Sequence, residues 1–309
     1  MSKIAIIGLS GESIFLKLDK LPIPSVTMHA SNCHIEPGGK GFNQAIACKK
    51  NKQDVYYLSK IGNDAYGTYC KSYMDAVGIN TKFILDNENK TAVATILTSS
   101  DGENEVIVYS GASNNITTSD VKSFETEISN SDILLVQYEI GIDALKQSIK
   151  IAKENNVLVV LNPAPAIYND IELLNSADIV TPNFEEAKTL YNLDKNIKEE
   201  ELGSALKDII PNVAVITLGS KGCLLINNHD YKYYKAYHVD AVDTTGAGDT
   251  FNAGLVSIIN RDLSNIEEAI NYASIAASLS VTKPYVMESI PTFDEVKKFQ
   301  QLYNLKEKK

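Results

Sequence analysis

The sequence predicts an α/β fold: a doubly wound, mostly parallel sheet flanked by helices, with a small β-sheet lid, all in one domain over residues 1–309. Three observations carry that expectation. Short runs dense in Val, Ile and Leu recur along the chain, near-continuous as strands buried on both faces are. Amphipathic stretches of helical length separate them, the alternation that builds βαβ units. Two β-prone segments early in the chain break the alternation.

The runs are KIAIIGLS (3–10), VYYLSKIG (55–62), DILLVQYE (132–139), VLVVLNPAP (157–165), ADIVTPN (177–183) and VAVITLGS (213–220). The helical stretches cover 43–52, 66–77, 142–155, 184–192, 199–209, 249–260, 265–281 and 292–304. YHVDAV (237–242) reads as a strand-like lead into the next loop. Residues 12–36 are too extended and Pro-marked for a helix. Residues 91–109 are two β-prone runs joined by SSDGEN, a hairpin signal. These two segments, at about 12–36 and 91–109, do not suit a parallel core. They predict a small separate sheet, either a decoration or a lid over the carboxyl ends of the strands, where ligands bind in such folds.

Composition narrows the function. The 309 residues are 44% hydrophobic and 22% charged, ordinary for a globular domain with a sizeable core. A net charge of −10 argues against nucleic acid or anionic membrane as a partner. The first apolar run is too short for a signal peptide, and no later run reaches the ~18 residues of a membrane span. Cys33, Cys48, Cys70 and Cys223 lack metal or redox spacing, so free thiols and a cytoplasmic location are expected. The four histidines show no metal-ligand spacing. The KEKK tail reads as a solvated end.

Two glycine clusters remain. In VDTTGAGDTF (242–251), Gly246, Ala247 and Gly248 would present bare N–H groups at the start of a helix, where small side chains and the helix dipole admit a phosphate. Asp249 would point into the same space, where a carboxylate can accept the proton of an attacking hydroxyl. The plain alternative is a glycine turn with Asp249 as N-cap. In PGGKGFNQA (37–45), Gly38, Gly39 and Gly41 let backbone approach a polar ligand, Lys40 supplies charge, and Asn43 can donate and accept. The spacing is not that of a P-loop, and a flexible loop is the alternative. Polar strand ends add Gln137, Tyr138, Glu139, Asn162 and the pair Asn183 and Glu186. That pair offers oxygen ligands suited to Mg²⁺, and Asn183 is equally a candidate helix cap.

Together these stretches resemble the ribokinase family of sugar and nucleoside kinases, the group that includes minor phosphofructokinases. PGGKGFNQA and DTTGAGDTF resemble its two signatures, and NPAPA, TPNFEEA and TLGSKG (217–222) follow in the expected order over nearly the whole chain. GGKGxNQA and NPAPA lean toward its ribokinase branch. The resemblance implies an ATP-dependent sugar kinase acting on a hydroxyl, expected to be primary. Asp249 would be the base, with Gly246, Ala247 and Gly248 as anion hole. Asn183 and Glu186 would organise Mg²⁺. Thr217, Gly219 and Gly222, with Asn183, would line the ATP side. Gly11, Ser13, Gly38, Gly39, Lys40, Asn43 and Glu139 would hold the sugar. Asp243, Thr245 and Ser289 match the family's monovalent-cation site, usually K⁺. A homodimer through the lid is also implied.

Two departures stand out. Family members carry Asn-x-Asp after the first strand; here Gly11 and Ser13 occupy those places, with Glu12 between them. The usual ribose anchor is missing or shifted by one residue, which points to another sugar or a nucleoside as acceptor. A Gly-Ala pair in the cation loop is replaced by Tyr285 and Val286. A rival of another class is a sugar-sensing protein without catalysis; Asp249 and its intact glycine loop argue against it.

Overall fold

The computed structural model describes residues 1–100 and 104–307. Asp101, Gly102 and Glu103 of the expected SSDGEN turn, and the last two residues of the KEKK tail, lie outside the described residues. The strands are β1 (Lys3–Ile7), β2 (Gly11–Lys17), β3 (Asn32–Gly38), β4 (Asp54–Gly62), β5 (Asn80–Asp86), β6 (Ala92–Thr98) and β7 (Asn104–Tyr109). They continue with β8 (Ile133–Gln137), β9 (Leu158–Asn162), β10 (Ile179–Val180), β11 (Val213–Thr217), β12 (Cys223–Asn227) and β13 (Asp230–Tyr234). Helices α1 (Lys40–Lys50), α2 (Ala65–Val77), α3 (Thr118–Lys122), α4 (Glu125–Ser129) and α5 (Ile142–Glu154) lie in the first half. The second half holds α6 (Ile171–Ser176), α7 (Phe184–Leu190), α8 (Leu202–Leu206), α9 (Ala247–Ile258), α10 (Ile266–Ser280) and α11 (Phe293–Glu307).

The large sheet runs β13-β12-β11-β10-β9-β8-β1-β4-β5, parallel from β11 to β5. Strand alternation divides its core in two. Ile4 and Ile6 of β1 face one cluster with α1 and α9, while Ala5 and Ile7 face the other with α5. On the first side α9 and α10 pack at glycine distance, since a Cβ on Gly254 would stand 2.9 Å from Ala273 Cα. The parallel strands deliver Gln137, Asn162 and Thr217 to one edge.

A second sheet, β3-β2-β6-β7, forms from the two segments expected to stand apart. Three differences from the sequence reading follow from edge chemistry. β5 joins the parallel sheet at its edge. β12 and β13 extend the other end as an antiparallel hairpin that turns at Asn228 and His229, both at positive φ. YHVDAV is not a strand: it leaves the sheet after β13 and joins no ladder. Its Val242 and the next residue, Asp243, instead donate their N–H groups to Val281 O. No helix among the described residues is long and apolar enough to cross a membrane.

Candidate active site

Gly246 precedes α9 at φ 75, and a Cβ there would meet Val286 Cγ1 at 2.7 Å. Two residues later, a Cβ on Gly248 would meet nothing within 4 Å, so the small side chain there leaves a hollow rather than fitting a neighbour. The first-turn N–H groups of a helix have no intrahelical acceptor, and this hollow is where they can meet an anion.

Asp249 follows on the same turn and is buried. It caps nothing: the N-cap is Gly246, with no side-chain cap bond. Instead its carboxylate accepts from Asn43 Nδ2 at 2.8 Å and Gln44 Nε2 at 3.0 Å, both on the first turn of α1. Gln44 also donates to Asn162 Oδ1 at 3.2 Å and accepts from Gln137 Nε2. Burial pushes the Asp249 carboxyl above the usual range, against the lowering pull of Lys40, Asn43 and Gln44. A raised carboxylate held by fixed donors suits a general base at neutral pH.

A polar cavity of about 110 Å³ opens beside it, lined by Lys40, Thr181, Asn183, Glu186, Gly248, Asp249 and Asn252, among others. Asn183 does cap α7. Its Oδ1 accepts from Glu186 N–H at 2.8 Å, and Glu186 Oε2 accepts from Asn183 N–H at 2.8 Å. The cap leaves Glu186 Oε1 unused for a hydrated metal, whereas Asn183 spends its single side-chain oxygen on the cap and keeps only that oxygen's second lone pair. Hard oxygen donors beside a phosphate hollow fit Mg²⁺ held through water. Burial pulls the Lys40 ammonium down, but Asp249, Glu139 and Glu186 outweigh it and leave Lys40 above its ordinary value.

The polar cavity shares Thr217 and Gly248 with a larger one of about 340 Å³. Gly219 and Gly222 are among the residues that line it. The sequence reading missed its walls: Ala236 to Val239, Phe251, Ala277 and Ser278. The segment that failed as a strand is therefore one wall of the cavity. Gln44, Thr181 and Asn252 were missed too. Gln44 stands next to Asn43 in the quoted motif, and Asn252 lies one helical turn after Asp249.

On the other side of Asp249, Ser13, Gly38 and Asn43 converge. A Cβ on Gly38 would lie 2.3 Å from Ser13 Oγ and 3.8 Å from Asn43 Oδ1. Asn43 Oδ1 is buried and finds no hydrogen-bond donor. Gly39 holds φ 112, where a side chain would strike Leu9 O at 2.4 Å. Gly11 answers to packing: its Cβ would stand 2.5 Å from Ala92 O in β6. Glu12 points away from Ser13 and bonds Tyr66 near Asp64, with burial raising its carboxyl. No bulge brings it across, and β2 pairs β3 in unbroken register. Facing Ser13 across that ladder is Glu36, whose oxygens accept from Val286 N–H at 2.8 Å and Met287 N–H at 3.2 Å.

Glu139 accepts the Lys40 backbone N–H at 2.7 Å. Burial pushes its carboxyl up to about 7; Lys40 opposes this and Asp249 adds to it. Below that pH the group is neutral, and above it the carboxylate can accept from acceptor hydroxyls. The KM for the acceptor is therefore expected to fall as pH rises through about 7. Glu139→Gln should flatten that change; an unaltered profile would remove Glu139 from acceptor binding.

Asp243, Thr245 and Ser289 gather around the loop of Tyr285 and Val286. Asp243 Oδ1 accepts from Thr245 N–H at 2.9 Å, and Oδ2 from Tyr285 N–H at 3.0 Å. Ser289 is buried, and its hydroxyl donates to Val286 O at 2.9 Å. The half-exposed Asp243 keeps a lone pair on each oxygen for a cation, whereas Val286 O is already shared between Ser289 Oγ and the N–H of Ser289 and Ile290.

An open helix start, a buried carboxylate behind it and polar side chains gathered beyond that carboxylate are features that phosphoryl transfer can use. Residues 1–293 match the pfkB family carbohydrate kinase, and the chain belongs to that family. It is 34% identical to the ribokinase of Staphylococcus aureus (strain COL) over 96% of this chain and 98% of the relative. It is 37% identical to the ribokinase of Haemophilus influenzae over 89% of this chain and 91% of the relative. The solved structure of Arabidopsis thaliana ribokinase complexed with ribose and ATP superposes with a TM-score of 0.83. The two are 27% identical, covering 96% of this chain and 98% of that one.

Proposed function

We propose that this carbohydrate kinase transfers the γ-phosphate of ATP to a primary hydroxyl of a ribose-like acceptor, with Asp249 as base. One observation carries the reading. Asn43 gives its amide to Asp249 while its buried Oδ1 stands without a donor, 3.8 Å from the Cβ position of Gly38. A hydroxyl donating to Asn43 Oδ1 would satisfy the orphan and lie beside the base. ATP would place its base in the 340 Å³ cavity and its phosphates at Gly248, where the two cavities join. Lys40 would balance phosphate charge. Asn183 and Glu186 would organise Mg²⁺, which supplies charge neutralisation at the phosphates. An orphaned acceptor buried beside a held base also favours catalysis over mere sensing.

Ser13 favours a second reading of the acceptor. With no carboxylate at position 13, and Glu12 and Glu36 both engaged elsewhere, another sugar or a nucleoside is an alternative to ribose. A coupled ATPase assay over pentoses, hexoses and nucleosides tests both readings. Stimulation by none of them would overturn the kinase assignment of this pocket.

The small sheet is the lid in this account. Its edge strand β7 exposes Val106, Ile107, Val108 and Tyr109, with Ile35 exposed on β3. Exposed apolar side chains on both faces of β7, and at the opposite edge on β3, support a homodimer through the lid, to be checked by sedimentation. A cytoplasmic location agrees with four free cysteines, three of them buried. Monovalent-cation activation follows from Asp243 and Thr245. Turnover is expected to be faster in K⁺ than in Na⁺ or a bulky organic cation at matched ionic strength. Equal rates would remove the site.

A further inference from the structure

Strand β3 alternates, so Asn32, His34 and Glu36 share one face. All three reach a single segment, Tyr285 to Met287. Asn32 Nδ2 donates to Tyr285 Oη at 2.8 Å. The His34 ring stacks on the Tyr285 ring at 3.7 Å and 14°. Glu36 takes the N–H groups of Val286 and Met287. Phe15 of β2 meets the Tyr285 ring edge-on at 5.4 Å.

Tyr285 itself holds φ 63, a conformation costly for a bulky side chain that persists only when its surroundings impose it. Asn32, His34 and Phe15, which hold its side chain, all belong to the small sheet. Its backbone belongs to the other party: Tyr285 N–H donates to Asp243, which also fixes Thr245. The neighbouring Val286 abuts Gly246. One segment therefore joins the lid on one side to the phosphate loop on the other.

We propose that Tyr285 is a positioning residue, through which Asn32 and His34 of the lid, alongside the direct hold of Glu36 on Val286 and Met287, keep the phosphate loop in its working geometry. Loosening the lid then loosens the anion hole. The proposal rests on residues 243–249 being the phosphate loop. Its first readout, amide hydrogen exchange, needs no turnover, so the two can fail separately.

His34→Ala removes the stack and the His34 Nε2 contact to Glu36 Oε2 at 3.3 Å, and alters no residue of the phosphate loop. Tyr285→Gly removes the side chain and relieves the positive φ, so the fold is kept. In both, exchange at residues 243–248 is expected to quicken by about three- to thirtyfold, the range for residues coupling two sites. Exchange in β8 and β9 should stay unchanged. With ATP and D-ribose, kcat should fall by a similar factor while the KM for ATP holds. Combining the two substitutions should cost less than the sum of their separate effects, the mark of a shared interaction, the remainder being the His34–Glu36 contact. Tyr285→Phe, which keeps the stack, should restore most of both readouts. Exchange changes confined to the lid and Tyr285, or additive effects in the double variant, would overturn the proposal. If D-ribose is not turned over, the exchange result decides alone.

Discussion

Asp249→Asn is expected to lower kcat at least about a hundredfold, the scale of a lost general base, while ATP binding stays largely intact. The larger cavity, proposed to take the nucleotide base, reaches the loop through Gly248 and Thr217 and is not lined by Asp249. What the substitution removes is the acceptor for the hydroxyl proton. It also sets an NH₂ against one of two donors, Asn43 Nδ2 or Gln44 Nε2. Gln44 cannot turn to accept without breaking its bond from Gln137. Some loss of thermal stability is therefore expected alongside, of about 1–3 kcal/mol for a buried mismatched donor. Near-normal turnover would show that Asp249 serves only to tie α1 to α9.

Ser13→Asp is expected to tighten D-ribose by about 1.5–3 kcal/mol, the worth of hydrogen bonds to a charged group. An Asp can grip two neighbouring hydroxyls; Ser13 has one short hydroxyl and no charge. The pocket holds no substitute carboxylate at that place. Glu12 turns to Tyr66, and Glu36, directly across the ladder, is occupied by two backbone N–H groups. Wild-type ribose KM is thus expected above the ~1 mM upper end of common values. Glu36 also limits the gain, since like charges directly opposite on a ladder repel. The lower half of the range is the sharper expectation. A sub-millimolar wild-type KM, or unchanged affinity in the variant, would mean that Lys40, Asn43 and Glu139 hold ribose without an anchor.

The parallel core was legible because strands buried on both faces must be apolar along their length, and β8 and β9 are so up to their last residues, Gln137 and Asn162. The two glycine loops were legible because tight turns and close approaches exclude side chains, as at Gly39 and Gly246. Edge elements were not. β13, DYKYY, is mostly exposed and polar, and its turn uses Asn228 and His229 instead of the usual glycine. YHVDAV carries a strand's residue types, but strand formation needs a neighbour, and that depends on where the sheet ends. Gln44 was missed because its partners, Asp249, Asn162 and Gln137, are distant in sequence and meet only in the fold. The role of Glu36 likewise depends on a segment 250 residues away. The Ser13–Glu12 question did yield to local geometry, because residues alternate across a strand.

The most direct test is the position of the new phosphate. Wild-type protein and Asp249→Asn would be incubated with ATP and Mg²⁺ over a panel of pentoses and nucleosides, and the products read by ³¹P–¹H NMR. The account predicts phosphate on a primary hydroxyl of at least one acceptor, slow product from ribose at millimolar concentration, and product in the variant cut at least about a hundredfold. Phosphate on a secondary hydroxyl, inorganic phosphate as the sole product, or undiminished product in the variant would contradict it.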